Sequence, residues 1–113
     1  MKNIRQGEMY WVNLNPIKGK EQRGLRPCLV VSGNSMNQYS GLAIVCPLTS
    51  VLKHYVGDVI LSPNRENGLL ERSEILVSQV RTVDQKRFQQ RIGSIDPQQM
   101  KEVLRGIVLV LTH

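Results

Sequence analysis

The apolar residues of this chain lie in short runs, and each run is followed by a polar stretch rich in Gly, Pro, Asn or Ser. Apolar runs of this length are typical of β-strands, and the polar stretches between them are typical of turns and loops. The pattern predicts six strands, at residues 8–14, 27–32, 42–48, 56–61, 78–83 and 91–95. It predicts connecting loops at residues 15–25, 32–41, 50–55 and 62–67.

Near the end of the chain the apolar period changes. Apolar residues recur there at the three- and four-residue spacings of one helix face, namely at Met100, Val103, Leu104, Ile107, Val108 and Leu111. Asp96 is a favourable N-cap, Pro97 suits the first helical position, and Gln99 completes a capping box. Leu109 and Val110 widen the apolar face, which indicates either a second partner such as another subunit or a helix laid over the mouth of a barrel.

Several short strands followed by one late helix predict a mainly β fold with a C-terminal helix, built as a small, strongly curved sheet or barrel. The pattern does not distinguish an SH3-like barrel from an OB-like one. With 113 residues and 41% apolar composition, the chain is expected to form a single domain, 1–113, with a core of its own. Its apolar runs are too short to span a bilayer and no secretory signal is recognised, so a cytoplasmic protein is expected.

The two cysteines, Cys28 and Cys46, both lie inside apolar runs. The sequence contains no CxxC pair and no Cys/His cluster with the spacing of a zinc site. We therefore expect no metal and no cofactor. Two Cys on neighbouring strands could form a disulfide, but buried reduced thiols are the expectation for a chain without a secretory signal.

The net charge of +6 is concentrated near the N-terminus. Six basic and two acidic residues precede Pro27, and no acid occurs between Glu21 and Asp58. Such a distribution favours a polyanionic partner, most often a nucleic acid, over a surface charge that only keeps the protein soluble.

The loop 15–25 holds three of these six basic residues. Its candidate side chains for contacting a nucleic acid are Lys18, Lys20, Gln22 and Arg23. Arg26 follows at the junction of loop and strand, where Pro27 favours an extended backbone. A guanidinium held there is suited to phosphate oxygens. Glu21 lies among these cations and should remain ionised, and an ion pair between Glu21 and Arg26 is the structural alternative.

Two further segments carry candidate chemistry. Thr49 ends an apolar run, so its hydroxyl is expected at the sheet edge, although a local turn bond would also explain it. Ser50, Lys53 and His54 follow in a polar loop. In the predicted strand 78–83, Gln79 and Arg81 should share one face and could contact bases or phosphate. Of the aromatic residues, Tyr10 and Trp11 are expected in the core, which leaves Tyr39 and Tyr55 as candidates for base stacking.

These segments together resemble the MazF/PemK family, small endoribonuclease toxins of type II toxin–antitoxin systems. The resemblance rests first on the Glu-Gln-x-Gly-x-Arg-Pro core of residues 21–27, and then on weaker motifs in the same order at 7–11, 14–16, 47–50 and 78–84. It implies an SH3-like barrel with a C-terminal helix, of the kind shared with the CcdB gyrase poisons. It also implies a homodimer and a cognate antitoxin that covers the active site.

The resemblance further implies metal-independent cleavage of single-stranded RNA, including mRNA, at short sequences, which leaves 2′,3′-cyclic phosphate and 5′-hydroxyl ends. The family pattern places catalytic roles on Arg26 and Thr49 and, in some members, on Glu21. His54 is chemically suited to proton transfer, but the family pattern assigns it no role. Two alternatives stay open: a non-catalytic toxin of this fold that binds a protein such as DNA gyrase, and a nucleic-acid-binding barrel without activity.

Overall fold

A computed structural model describes residues 3–15 and 24–113 of the chain. Seven strands and two α-helices lie in these two stretches. The strands are β1 (Glu8–Asn13), β2 (Leu25–Val30), β3 (Leu42–Thr49), β4 (Val59–Leu61), β5 (Ser73–Ile75), β6 (Arg81–Asp84) and β7 (Phe88–Ser94). The helices are α1 (Asn34–Tyr39) and α2 (Pro97–Thr112).

The strands form one antiparallel sheet in the order β4-β5-β3-β2-β1-β7. Strand β3 has two partners along its length. Its first half, Leu42–Val45, pairs with β6, whereas Leu48 and Thr49 pair with β5. Because one strand serves both neighbours in turn, the sheet curls into a half-barrel with α2 packed against it. The prediction of a mainly β, barrel-like fold with a C-terminal helix is confirmed.

Side chains that alternate along β1, β2 and β3 supply two cores, one on each face of the sheet. The first contains Ile4, Tyr10, Val12, Leu14, Cys28, Val30, Ala43, Val45, Val83 and Phe88. The second contains Met9, Leu29, Val31, Cys46, Leu48, Leu61, Ile75, Val77, Met100 and Val103. The two cysteines are free and buried on neighbouring strands, as expected, and each belongs to a different core.

Helix α2 begins and packs as the sequence predicts. The Asp96 carboxylate accepts the Gln99 N–H at 2.7 Å, and the Gln99 side chain accepts the Asp96 N–H at 3.3 Å. Met100 and Val103 enter the second core. One turn later, a Cβ on Gly106 would lie 2.0 Å from the carbonyl oxygen of Gly57, so glycine permits this close approach of helix and loop.

Three predictions about strands and loops are wrong. The predicted strand 56–61 shortens to β4, because Gly57 has a φ of 90° that extended strands do not adopt. The predicted strand 78–83 is divided by a 3₁₀ turn at Val77–Gln79, which carries the chain from β5 to β6. The polar loop 32–41 contains α1, whose buried Asn37 side chain bonds back to Ser32.

Candidate functional site

A cavity of about 400 Å³ opens where β2 begins and β3 ends. In the ladder between these strands Cys28 lies opposite Pro47, and Leu29 lies opposite Cys46. Continuing this antiparallel register toward the cavity places Arg26 opposite Thr49. Both residues line the cavity, so the sheet brings together two side chains that are 23 positions apart in the sequence.

The cavity wall combines apolar and polar groups. Its apolar lining consists of Trp11, Leu25, Pro27, Leu48, Leu69, Leu70 and Ile92. Its polar side chains are those of Arg26, Thr49, Ser50, Glu71 and Ser73. A wall of this kind can accept the face of a planar ring while a charged or polar group bonds at the edge.

Trp11 is part of this wall and not of the core, so the prediction for it is wrong, whereas the prediction for Tyr10 is confirmed. Trp11 is 38% exposed. The alternation along β1 puts Trp11 on the same face as Met9, but it pairs with Pro27 at the edge of the second core. The alternating pattern of residues 9–12 was the signal that could have separated Trp11 from Tyr10.

Thr49 is the last residue of β3 and lines the cavity, although the residue as a whole is only 7% exposed. The backbone N–H of Val51 donates to Thr49 Oγ1 at 3.1 Å, which is the local turn bond considered as the alternative. A hydroxyl that accepts one bond keeps its own hydrogen for donation. Thr49 therefore lines the cavity with a hydroxyl oriented by the backbone of the next turn.

Arg26 is half-buried, and both Arg26 and Arg81 lie close enough to Cys28 to affect its thiol. Burial raises the pKa of Cys28 to about 12, with a further contribution from Cys46, although the two positive charges act in the opposite direction. Burial likewise raises the pKa of Cys46 to about 12. Both thiols therefore stay protonated and are not nucleophiles at neutral pH.

The segment that follows Thr49 is fixed by a buried acid. The Glu74 carboxylate of β5 accepts backbone N–H groups from Lys53 at 2.6 Å, His54 at 2.8 Å and Tyr55 at 3.2 Å. Glu74 is fully buried and pairs with Thr49 in the sheet. The predicted loop 50–55 is thus an ordered turn beside the cavity, with an αL backbone at His54, whose φ is 55°.

The other candidate residues are distributed unevenly. Ser50 lines the cavity with Arg26 and Thr49, and Lys53 is exposed on the adjoining loop. Gln79 and Arg81 do not share a strand face as predicted, because Gln79 lies in the 3₁₀ turn that precedes β6. The side chains of Lys18, Lys20, Glu21, Gln22 and Arg23 lie outside the residues that the structure describes. Tyr39 and Tyr55 are exposed, but neither lines this cavity.

Within residues 3–15 and 24–113, no group of three or more His, Cys, Asp or Glu side chains is arranged to hold a metal ion. No helix in this part of the chain is long and apolar enough to cross a membrane.

Comparison with known proteins gives these features a family context. A sequence profile of the PemK-like, MazF-like toxins of type II toxin–antitoxin systems matches residues 5–111. The endoribonuclease MazF of Staphylococcus saprophyticus is 30% identical over 109 residues, which cover 96% of this chain and 91% of that protein. The chain therefore belongs to the family of PemK-like, MazF-like toxins.

Solved structures agree with this assignment. The crystal structure of MazF from Deinococcus radiodurans aligns over 100% of both chains with a TM-score of 0.87 and 29% identity. A MazE–MazF structure from the same organism covers 98% of this chain and 97% of its own, with a TM-score of 0.77 and 28% identity.

Proposed function

We propose that this protein is the toxin of a type II toxin–antitoxin pair and that it is an endoribonuclease, with its active site in the cavity between β2 and β3. The observation that carries the proposal is the meeting of Arg26 and Thr49 at one cavity. The family assignment and the endoribonuclease relative from S. saprophyticus support the same activity. The substrate is single-stranded RNA, including mRNA, whose mobile backbone reaches an in-line geometry that a duplex resists.

The reaction is a transesterification within the RNA. The 2′-hydroxyl oxygen attacks the adjacent phosphorus, the bond from phosphorus to the 5′-oxygen breaks, and the products are a 2′,3′-cyclic phosphate and a 5′-hydroxyl. The 2′-hydroxyl loses a proton to a base, and the leaving 5′-oxygen gains one. No water, metal or cofactor is consumed, and the phosphoryl oxygens gain negative charge during the attack.

Arg26 and Thr49 have complementary roles in this scheme. The Arg26 guanidinium, which cannot act as a base at neutral pH, donates to the phosphoryl oxygens and stabilises their developing charge. The Thr49 hydroxyl donates to the same phosphate or orients the 2′-hydroxyl. Glu21 is the candidate for proton transfer. The remaining basic and amide side chains hold the RNA strand on either side: Lys18, Lys20, Gln22, Arg23, Lys53, Gln79 and Arg81.

The apolar part of the wall suits a splayed nucleobase. Single-stranded RNA is read largely through base stacking and edge hydrogen bonds. Trp11 offers an aromatic surface and Pro27 an apolar ring at the same cavity as Arg26, and Ser50 offers an edge donor and acceptor. A base stacked there would place its own phosphate within reach of the guanidinium, which links selectivity for short sequences to cleavage.

The same cavity is the expected target of the antitoxin. A partly disordered, acidic antitoxin segment would pair with the basic loop and cover the apolar wall, which includes the highly exposed Leu70.

A homodimer is supported by the apolar residues exposed on α2, which are Leu104, Val108 and Leu111. Toxin, antitoxin and RNA would meet in the cytoplasm.

A non-catalytic toxin that binds DNA gyrase is not favoured. Such a protein needs no guanidinium and hydroxyl at a shared cavity, whereas phosphate chemistry does. An inactive nucleic-acid-binding barrel predicts salt-sensitive RNA binding without strand scission.

The direct test is incubation of a long unstructured RNA with purified, antitoxin-free protein in EDTA. Discrete cuts are expected, with cyclic phosphate upstream and 5′-hydroxyl downstream of each. Mapping the ends gives the recognition sequence. Intact RNA across several substrates, with the protein shown to be folded, would contradict the proposal and make gyrase binding the next assay.

Removal of the Thr49 hydroxyl gives a second test. Thr49→Val keeps the shape of the side chain but loses both the donor and the acceptor of the Val51 N–H bond. We expect kcat/KM for RNA cleavage to fall by about 100-fold, since one preorganised donor at the reacting phosphate is lost. Thr49→Ser retains the hydroxyl and is expected to keep most of the activity. Equal cleavage by the Val and Ser variants would exclude a catalytic role for this group.

A further inference from the structure

Glu74 combines complete burial with an unusual set of partners. Its carboxylate is 0% exposed, and it is held by three consecutive backbone N–H groups from Lys53, His54 and Tyr55. A buried carboxylate is costly unless its oxygens are bonded. Three amide donors from one turn satisfy these oxygens and at the same time fix the position of that turn.

The second acid in this region is Asp58. Its Oδ1 accepts the backbone N–H of Val77 at 3.0 Å. Its Oδ2 is buried and has no hydrogen-bond partner among the residues that the structure describes, although the Glu74 carboxyl lies beside it. Two carboxylates cannot bond each other unless one of them carries a proton. A proton on Asp58 Oδ2, donated toward Glu74, satisfies the unpartnered oxygen and completes the bonding of the pair.

Hydrogen bonds and strand pairing connect this acid pair to both ends of the loop that follows Thr49. In the sheet Glu74 pairs with Thr49, and Thr49 Oγ1 accepts from Val51 at the start of the loop. At the other end of the loop the Asp58 N–H donates to the Tyr55 carbonyl at 3.1 Å. His54 between them holds an αL backbone, which residues other than glycine seldom adopt and which the Glu74 bonds stabilise.

We propose that Glu74, hydrogen-bonded by a protonated Asp58, is a positioning residue for RNA cleavage. Its buried carboxylate fixes the turn that carries Ser50 and Lys53 against Thr49. The inference rests on the proposed function, because it explains how the loop beside that active site is held in position. It assigns a role to two acids that contact neither the RNA nor the reacting atoms.

The titration of the pair agrees with this arrangement. Burial, followed by the bond to Glu74, raises the pKa of Asp58 to about 7, against the lowering effect of the Val77 N–H. Burial would raise the pKa of Glu74, but the bonds from Asp58 and from the three amides outweigh it and hold this pKa well below its usual range. The pair therefore holds one proton in mildly acidic solution and loses it as the pH rises through about 7.

Other charged groups surround the pair. Glu102 and Arg105 of α2 line a second cavity together with Asp58, and Cys46 of β3 is close enough for Asp58 to raise its pKa. Lys53, His54 and Tyr55 belong to the loop itself. His54 is the histidine of this loop, so a His54→Asn variant is a necessary control, and asparagine tolerates the αL backbone there.

The activity test uses substitutions of similar side-chain size. Glu74→Met removes both carboxylate oxygens, so the Lys53, His54 and Tyr55 amides lose their acceptor, and it should lower kcat/KM for RNA cleavage by about 10- to 100-fold through misplacement of the turn. Asp58→Asn keeps an acceptor for Val77 and a permanent donor toward Glu74, and should retain wild-type cleavage at pH 6. Glu66→Gln, at an exposed acid that is not among the residues lining the cavity, is the control.

The pH profile separates this role from a general effect on folding. The rate of RNA cleavage by the wild type, plotted against pH, should show a decrease centred near pH 7, where Asp58 loses its proton. That decrease should be absent from Asp58→Asn and present in the His54→Asn variant. Full activity of Glu74→Met, or an unchanged pH profile in Asp58→Asn, would overturn the inference.

A third measurement does not depend on cleavage. Amide hydrogen exchange, followed by NMR, should show protected Lys53, His54 and Tyr55 amides in the wild type and unprotected ones in Glu74→Met, while the amides of β3 stay protected. Protected loop amides in Glu74→Met would overturn the anchoring role even if RNA is cut. Wild-type protein that never cuts RNA while its amides behave as expected would refute the proposed function and leave the anchor established.

Discussion

An Arg26→Ala variant is expected to cleave RNA with a kcat/KM about 100- to 1,000-fold below that of the wild type. The guanidinium lines the cavity beside Thr49, and it is the described side chain there that can carry positive charge. Without it, the charge that develops on the phosphoryl oxygens loses its preorganised donor. The loss should appear mainly in kcat, because the interaction strengthens as the transition state forms.

Arg26→Lys separates charge from geometry in the same assay. Lysine keeps the positive charge but not the planar fork, so partial activity between that of alanine and arginine is expected. Circular dichroism and thermal unfolding should show both variants folded, since Arg26 is only half-buried at the start of β2. Wild-type cleavage by a folded Arg26→Ala variant would remove Arg26 from the mechanism.

Gly106→Ala is expected to lower the free energy of unfolding by roughly 3 kcal/mol, the upper end for overpacking a tight contact. The new Cβ would lie 2.0 Å from the carbonyl oxygen of Gly57 and 2.9 Å from its carbonyl carbon, so backbone must move. The change opposes the ordinary preference for alanine over glycine in a helix, which is worth about 1 kcal/mol.

Thermal unfolding measures this effect directly. For a chain of this size the midpoint should fall by about 10 °C. Arg105→Ala, at the exposed neighbouring position of α2, is the matched control and should change stability by no more than about 0.5 kcal/mol. A Gly106→Ala protein as stable as the wild type would mean that helix and loop can separate at little cost.

Elements with strong local signals could be predicted from the sequence. The apolar period and the capping box give α2 its start at Pro97, and the continuous apolar run gives β3 its position in the sheet. Strand β5 has only three residues, and its pairing with the end of β3 depends on a contact distant in sequence. The turn at Val77–Gln79 exists because the chain must change partners along β3, which no local pattern encodes.

In the candidate site, too, some residues could be predicted from local sequence and others depend on contacts distant in sequence. Arg26 and Thr49 could be chosen from motifs, but only the register between β2 and β3 brings them to one cavity. The buried position of Glu74 could not be predicted, because a Glu between Ser73 and Ile75 resembles any polar residue of a short exposed strand. Its partners come from the loop 53–55, about 20 residues earlier, and bond through backbone groups that carry no sequence signal.

The position of Trp11 has a practical consequence. It is the one tryptophan in the sequence, and it lines the cavity beside Arg26 and Pro27. Indole emission depends on the polarity of its surroundings, and Trp11 is partly open to water, so a ligand that enters the cavity should change the intensity or the wavelength of that emission. The protein thus contains an optical reporter of occupancy that needs no label. Binding of a non-cleavable RNA analogue whose 2′-hydroxyls are replaced, or of an antitoxin peptide, could be followed at equilibrium by this signal alone.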